Sequence, residues 1–170
     1  ALSLGVDAAQ LFVGGDSAGG NLAAVVAINA RTEGPKLAGQ VLIYPCTEIL
    51  SQRPSRLAYC DGYFLDNETL DWFCEKYLPE PADRRDWRAS PLLAGRFDDL
   101  PPAVLITAGC DPLTDDCKAY ASALESAGVP VTLHEFDGMV HGFFTLGKLF
   151  RQSAEAVELA GKALEAALTR

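Results

Sequence analysis

Apolar positions along this chain fall into short continuous runs that alternate with longer segments of helical spacing. Gln10-Leu11-Phe12-Val13 is a short apolar run suited to a buried strand, and Asn21 to Ala30 is an uninterrupted helix-forming run. That helix is apolar almost all round, which predicts cover on several sides. Thr32-Glu33-Gly34-Pro35 closes it, and Gln40-Val41-Leu42-Ile43-Tyr44, stopped by Pro45, predicts a central parallel strand. From Cys46 to Ala89 periodicity is lost except where Leu70, Phe73, Cys74 and Tyr77 recur at i, i+3, i+4 and i+7 after a cap at Asn67. Leu100-Pro101-Pro102 introduces a third strand, Ala103 to Thr107. Thr114 is the expected cap of a helix whose apolar face is Cys117, Tyr120, Ala121 and Leu124, ended by Gly128 and Pro130. Val131 to Phe136 predicts a fourth strand, followed by a loop over 137–142 and an amphipathic helix from Arg151 to Thr169. Ala1 to Leu4 reads as the end of a further helix.

This order implies an α/β fold, with about four parallel strands and helices on both faces of the sheet. The length of 170 residues and an apolar content of 49% fit one domain over 1–170. The 46–89 excursion carries Tyr59, Tyr63, Phe64, Trp72 and Trp87, which either pack it onto the domain or wall a substrate pocket.

Chemistry concentrates in Gly14-Gly15-Asp16-Ser17-Ala18-Gly19-Gly20, at the joint between the first strand and its helix. A turn tight enough to expose a serine hydroxyl there crowds its neighbours, and Gly15 and Gly19 remove the side chains that would clash. Ser17 then sits at a helix N-terminus, where the Ala18 N–H can face a developing oxyanion. Such a turn equally suits phosphate binding or close packing. Asp16 is expected to anchor the elbow by hydrogen bonds.

Ligands in parallel α/β sheets bind beyond the carboxyl ends of the strands. Ser17 follows the first strand, Asp111 the third and His141 the fourth, so all three fall on one edge. A serine needs a base, and the base needs a carboxylate to fix its tautomer. His134 lies inside the fourth strand and reads as structural, which leaves His141 as the base. Asp111 precedes a proline and could serve only as a turn cap. Asp115 and Asp116 are its rivals, expected in a first helical turn where the dipole favours them.

A net charge of −9, from 23 acidic and 14 basic residues, argues against a nucleic-acid partner. No apolar run approaches a membrane span. The five cysteines lack a CxxC pair or a Cys/His cluster, so neither a metal site nor a disulfide framework is expected. A reducing, cytoplasmic location is the expectation.

Gly-Asp-Ser-Ala-Gly-Gly-Asn-Leu-Ala at 15–23, Tyr44-Pro45, Ser90-Pro91-Leu92, Leu100-Pro101-Pro102, Asp111-Pro112-Leu113 with Asp115, and His141-Gly142-Phe143 resemble the hormone-sensitive lipase family of α/β-hydrolase carboxylesterases. The spacing of 94 residues from serine to acid and 30 from acid to base also suits that family. The resemblance implies a partial α/β-hydrolase fold, with Ser17 as nucleophile, His141 as base and Asp111 as orienting acid. It also implies hydrolysis of small-molecule esters with short to medium acyl chains and no cofactor. The family's upstream His-Gly-Gly-Gly oxyanion segment has no counterpart here, so the chain is expected to be the C-terminal part of such an enzyme. The strand before Ser17 would then be a bare sheet edge, open to a missing N-terminal segment or to a second copy of the chain. A noncatalytic interaction module is the competing expectation, and a thioesterase or amidase would use the same triad.

Overall fold

The computed structural model describes residues 5 and 7–168. The sheet is built from β1 (Phe12–Asp16), β2 (Gly39–Ile43), β3 (Ala103–Cys110) and β4 (Val131–Val140), in the order β1-β2-β3-β4, every pair parallel. The helices are α1 (Ala18–Glu33), α2 (Pro54–Ala58), α3 (Asn67–Tyr77), α4 (Thr114–Ser126) and α5 (Arg151–Leu168). The helix end expected over Ala1 to Leu4 lies outside the described residues, as does Thr169.

Side-chain alternation along the central strands sorts the core into two layers. Leu42, Ala103 and Leu105 pack with Ala23, Ala24 and Ile28 of α1 and with Tyr120, Ala121 and Leu124 of α4. Ile43, Ile106 and Ala108 point the other way, toward Phe136, Phe143 and Ala156 of α5. Helices therefore cover both faces, as the strand-helix order predicts.

The boundaries move where the sequence signals compete. Gln10 belongs to a short 3-10 turn, because the Asp7 carboxylate accepts the Ala9 N–H. β1 starts two residues later and runs through the glycines to Asp16, held in register by β2. The turn itself is confined to Ser17, so α1 starts at Ala18 and its last residue is Glu33. β4 absorbs most of the expected loop, its ladder continuing past an irregularity opposite Ala108 to Cys110 and leaving only His141 and Gly142 for the turn.

Two predicted caps are corrected. Asp66, not Asn67, caps α3, its carboxylate accepting the Thr69 N–H at 2.7 Å, while the Asn67 amide donates to the Arg56 carbonyl. Thr114 is already inside α4 and turns its hydroxyl toward the Ala108 carbonyl of β3. The α3 stripe docks only in part: Leu70 is buried and Cys74 partly buried, whereas Phe73 and Tyr77 are more than half exposed. Along α1, Leu22 and Val26 also stay about half exposed, so the predicted cover is incomplete among the described residues.

Leu105 is fully buried in a central strand and Leu133 is 39% exposed on the edge strand β4. Leu105→Ala should cost about 2–5 kcal/mol of stability and Leu133→Ala much less. Denaturant unfolding of the two variants checks this, and equal losses would contradict the layer assignment.

Candidate active site

Ser17 stands between β1 and α1 with φ 54° and ψ −117°, a conformation that non-glycine residues rarely adopt. Its N–H donates to the Ile43 carbonyl at 2.8 Å, which ties the turn to the end of β2. A Cβ on Gly15 would come within 2.4 Å of the Gly19 backbone, and one on Gly20 within 2.9 Å of Pro45. Gly19 itself has open space around its Cβ position, so the expected clash there is not found. Its backbone is instead the surface that Gly15 must avoid.

The carboxyl ends of three strands bring the candidate side chains together. His141 Nε2 lies 2.8 Å from Ser17 Oγ, and His141 Nδ1 lies 2.7 Å from Asp111 Oδ2. Asp111 is fully buried, and its second oxygen accepts the Leu113 N–H at 2.8 Å. The turn-capping reading and the site reading of this aspartate thus both hold, one on each oxygen. A carboxylate at Nδ1 has no proton to give, so Nδ1 carries the hydrogen and Nε2 is free to accept from the serine. Ala18 is the first residue of α1, and its N–H has no acceptor within the helix.

Other expectations change. The Asp16 side chain is exposed and accepts no hydrogen bond among the described residues, so it does not anchor the elbow in that way. His134 is exposed on β4, its ring 4.6 Å from that of Phe136, away from the serine. Asp115 and Asp116 do occupy the first turn of α4, but they tie down the excursion as well. Asp115 accepts the Ser55 N–H at 2.8 Å. Asp116, fully buried, accepts from Arg53 at 3.0 Å, from Arg56 at 3.1 Å and from the Ser51 hydroxyl.

Sequence reasoning missed three supports. Asn21, one turn into α1, is buried and donates to the carbonyls of Cys46 and Ala89, at 2.6 and 2.7 Å. An amide ahead of the apolar run Leu22 to Ile28 was the available signal. Tyr44, fully buried at φ 34°, sets its ring 4.5 Å from that of His141. Burial first, then the nearby Asp16 and Asp111 charges, raise its phenol pKa and keep it neutral. The Arg53–Arg56–Asp116 cluster left no periodic trace.

All five cysteines are free thiols. Burial pushes the Cys46 thiol up to about 11 and holds Cys117 well above its ordinary value, so neither is a thiolate nucleophile at neutral pH. Among the described residues no group of His, Cys, Asp or Glu could hold a metal ion, and no helix is long and apolar enough to cross a membrane. Two clefts, of about 590 and 330 Å³, lie elsewhere, one beside the end of α1 and the other between the sheet and α5. Neither is lined by Ser17, Asp111 or His141.

Comparison with known proteins agrees with this fold. A family model described as the alpha/beta hydrolase fold matches residues 1–145. The ethyl acetate hydrolase of Pseudomonas putida is 42% identical over 167 residues, covering 96% of this chain and 52% of that protein. Carboxylesterase NlhH of Mycobacterium tuberculosis is 40% identical, covering 99% and 54%. Among solved structures, an α/β hydrolase from the metagenome of Lake Arreo superposes with a TM-score of 0.93 at 46% identity, covering 99% of this chain and 53% of that one. The chain spans about half the length of the curated relatives it matches.

Removing the Asp116 carboxylate leaves two guanidinium groups without their buried partner. Asp116→Ala should lower stability by about 3–5 kcal/mol. Asp86→Ala, which breaks an exposed pair with Arg88, should change little. Unfolding midpoints of the two variants provide the test.

Proposed function

Because the chain belongs to the α/β-hydrolase fold family, we propose that it is a serine carboxylesterase acting on small-molecule esters of short to medium acyl chains. The observation that carries this reading is the continuous hydrogen-bonded line from Ser17 through His141 to Asp111, at 2.8 and 2.7 Å. Ser17 Oγ attacks the ester carbonyl carbon while His141 Nε2 takes the hydroxyl proton. Asp111 keeps the imidazole in the required tautomer and stabilises its charge. The carbonyl oxygen, now an oxyanion, accepts the Ala18 N–H at the head of the α1 dipole. His141 returns the proton to the departing alkoxide, which leaves as the alcohol, and Ser17 holds the acyl group. Water, deprotonated by His141, then releases the acid and restores the serine.

The names of the relatives, an ethyl acetate hydrolase and carboxylesterases, support oxygen esters over thioesters or amides. We further propose that the site is completed by residues outside these 170. Ala18 supplies one oxyanion donor, β1 pairs on one side only among the described residues, and Leu22 and Val26 stand half exposed beside it. A segment adding to the free edge of β1 would account for all three, and the free thiols suit the cytoplasm. The same bare edge favours the second reading, an interaction module without catalysis.

A fluorophosphonate ester should label Ser17, and Ser17→Ala should abolish labelling and lower kcat by about 10⁶-fold. Asp111→Asn should lower kcat by about 10⁴-fold in a folded protein. A folded protein that neither takes the label nor turns over p-nitrophenyl acetate would favour the interaction module.

A further inference from the structure

Phe64 is an exposed aromatic residue in a backbone conformation it should avoid. Its φ is 74°, and the Leu65 N–H donates to the Tyr63 carbonyl at 2.9 Å across it. That is a γ-turn of the rare positive-φ kind, strained for any residue but glycine. Its side chain is 74% exposed, so burial of the ring does not compensate the strain. The turn is enforced from both flanks. Tyr63 sets its ring 5.0 Å from that of Tyr59, and the Asn67 N–H donates to the Cys60 carbonyl at 3.0 Å. Leu65 is buried in one cluster with Leu70, Leu113 and Cys117. Leu113 in turn donates its N–H to the Asp111 carboxylate, so the turn is anchored to the loop that holds the acid.

The turn sets the Phe64 ring beside Gly142. A Cβ on Gly142 would lie 3.3 Å from the edge of that ring, and Gly142 directly follows His141. We propose that Phe64 is the wall of the alcohol subsite and selects esters whose alcohol carries an aromatic or bulky apolar group. This rests on the hydrolase reading of Ser17, His141 and Asp111. In that reading the acyl carbon is bonded to Ser17 Oγ, whereas the alkoxide oxygen must lie within reach of His141 Nε2 to receive its proton. The group bonded to that oxygen is therefore the part of the ester nearest the His141–Gly142 turn. An exposed phenyl ring there offers an aromatic or alkyl alcohol an apolar face.

Esters of one acid share a single acyl-enzyme, so with acetyl held constant the ratios of kcat/KM report only the step in which the alcohol is still present. Ethyl, cyclohexyl and benzyl acetates are compared in the unsubstituted protein, Phe64→Ala and Phe64→Gly. The preference for benzyl over ethyl acetate should fall about 3- to 10-fold in both variants, the range an aromatic pair contributes. The acyl profile across p-nitrophenyl acetate, butyrate and hexanoate should stay within about twofold. Phe64→Gly, which releases the strained φ, should melt no lower than the unsubstituted protein. An unchanged benzyl-to-ethyl ratio, an altered acyl profile, or a lower melting temperature of Phe64→Gly would overturn the assignment while leaving the esterase reading intact. Absence of Ser17-dependent turnover in the unsubstituted protein would overturn both.

Discussion

The constraint on which this structure depends is the backbone of one serine. At φ 54° and ψ −117°, Ser17 sits in a region that costs a non-glycine residue about 1–3 kcal/mol, and it stays there because its surroundings allow no alternative. Parallel pairing with β2 fixes the chain up to Asp16, the hydrogen bond to Ile43 fixes Ser17 itself, and α1 begins at the next residue. Gly15 and Gly20 let strand, helix and Pro45 approach at distances that any side chain would forbid. The outcome is a hydroxyl held beyond the sheet edge, at the positive end of a 16-residue helix.

A fixed nucleophile is of use only if its partners arrive with the same precision, and here each is fixed by a different device. His141 follows β4 immediately, since the strand runs on to Val140 and Gly142, at φ 83°, turns the chain away. The imidazole is then packed against Tyr44 and is 7% exposed. Asp111 follows β3, and its spare oxygen is occupied by the Leu113 N–H, so the carboxylate cannot rotate out of line without losing a bond. The excursion does not simply cover this region. Through Ser51, Arg53, Ser55 and Arg56 it grips Asp115 and Asp116, four and five residues past the acid, which makes the first turn of α4 a rigid mount.

Sheet, strand count, helix placement and the three meeting side chains were legible in the sequence because each has a local signature. Apolar runs ended by proline or glycine mark β2 and β3, and GDSAGG, DPL and HGF each carry a turn with its chemistry. Family membership agrees with the resemblance those motifs suggested. What was not legible depends on partners distant in sequence. β4 outran its apolar stretch because β3 continued beside it, and Thr114 gave up its capping role because the Ala108 carbonyl was within reach. Asp116 does sit in the dipole-favoured first turn of α4, but nothing local announces that Arg53 and Arg56 fold back onto it. Asp16 shows the opposite error, a polar residue at a motif given a structural bond that it does not make.

Strain, finally, is distributed in a way that packing alone does not require. Four non-glycine residues have positive φ among those described: Ser17, Tyr44, Phe64 and Asp99. An aspartate tolerates this region readily. The other three do not, and all three gather around His141: Ser17 at its Nε2, Tyr44 against its ring, and Phe64 beside the glycine that follows it. They come from three separate stretches of chain, so no single tight loop explains the grouping. Each is held by elements that are themselves unstrained, the β1–β2 ladder for Ser17, the hydrogen bond from Tyr44 to Ile106 of β3, and the buried Leu65 for Phe64. A fold stabilised by its two core layers can sustain several such residues, and placing them at one imidazole gives that ring a surrounding with little freedom to relax.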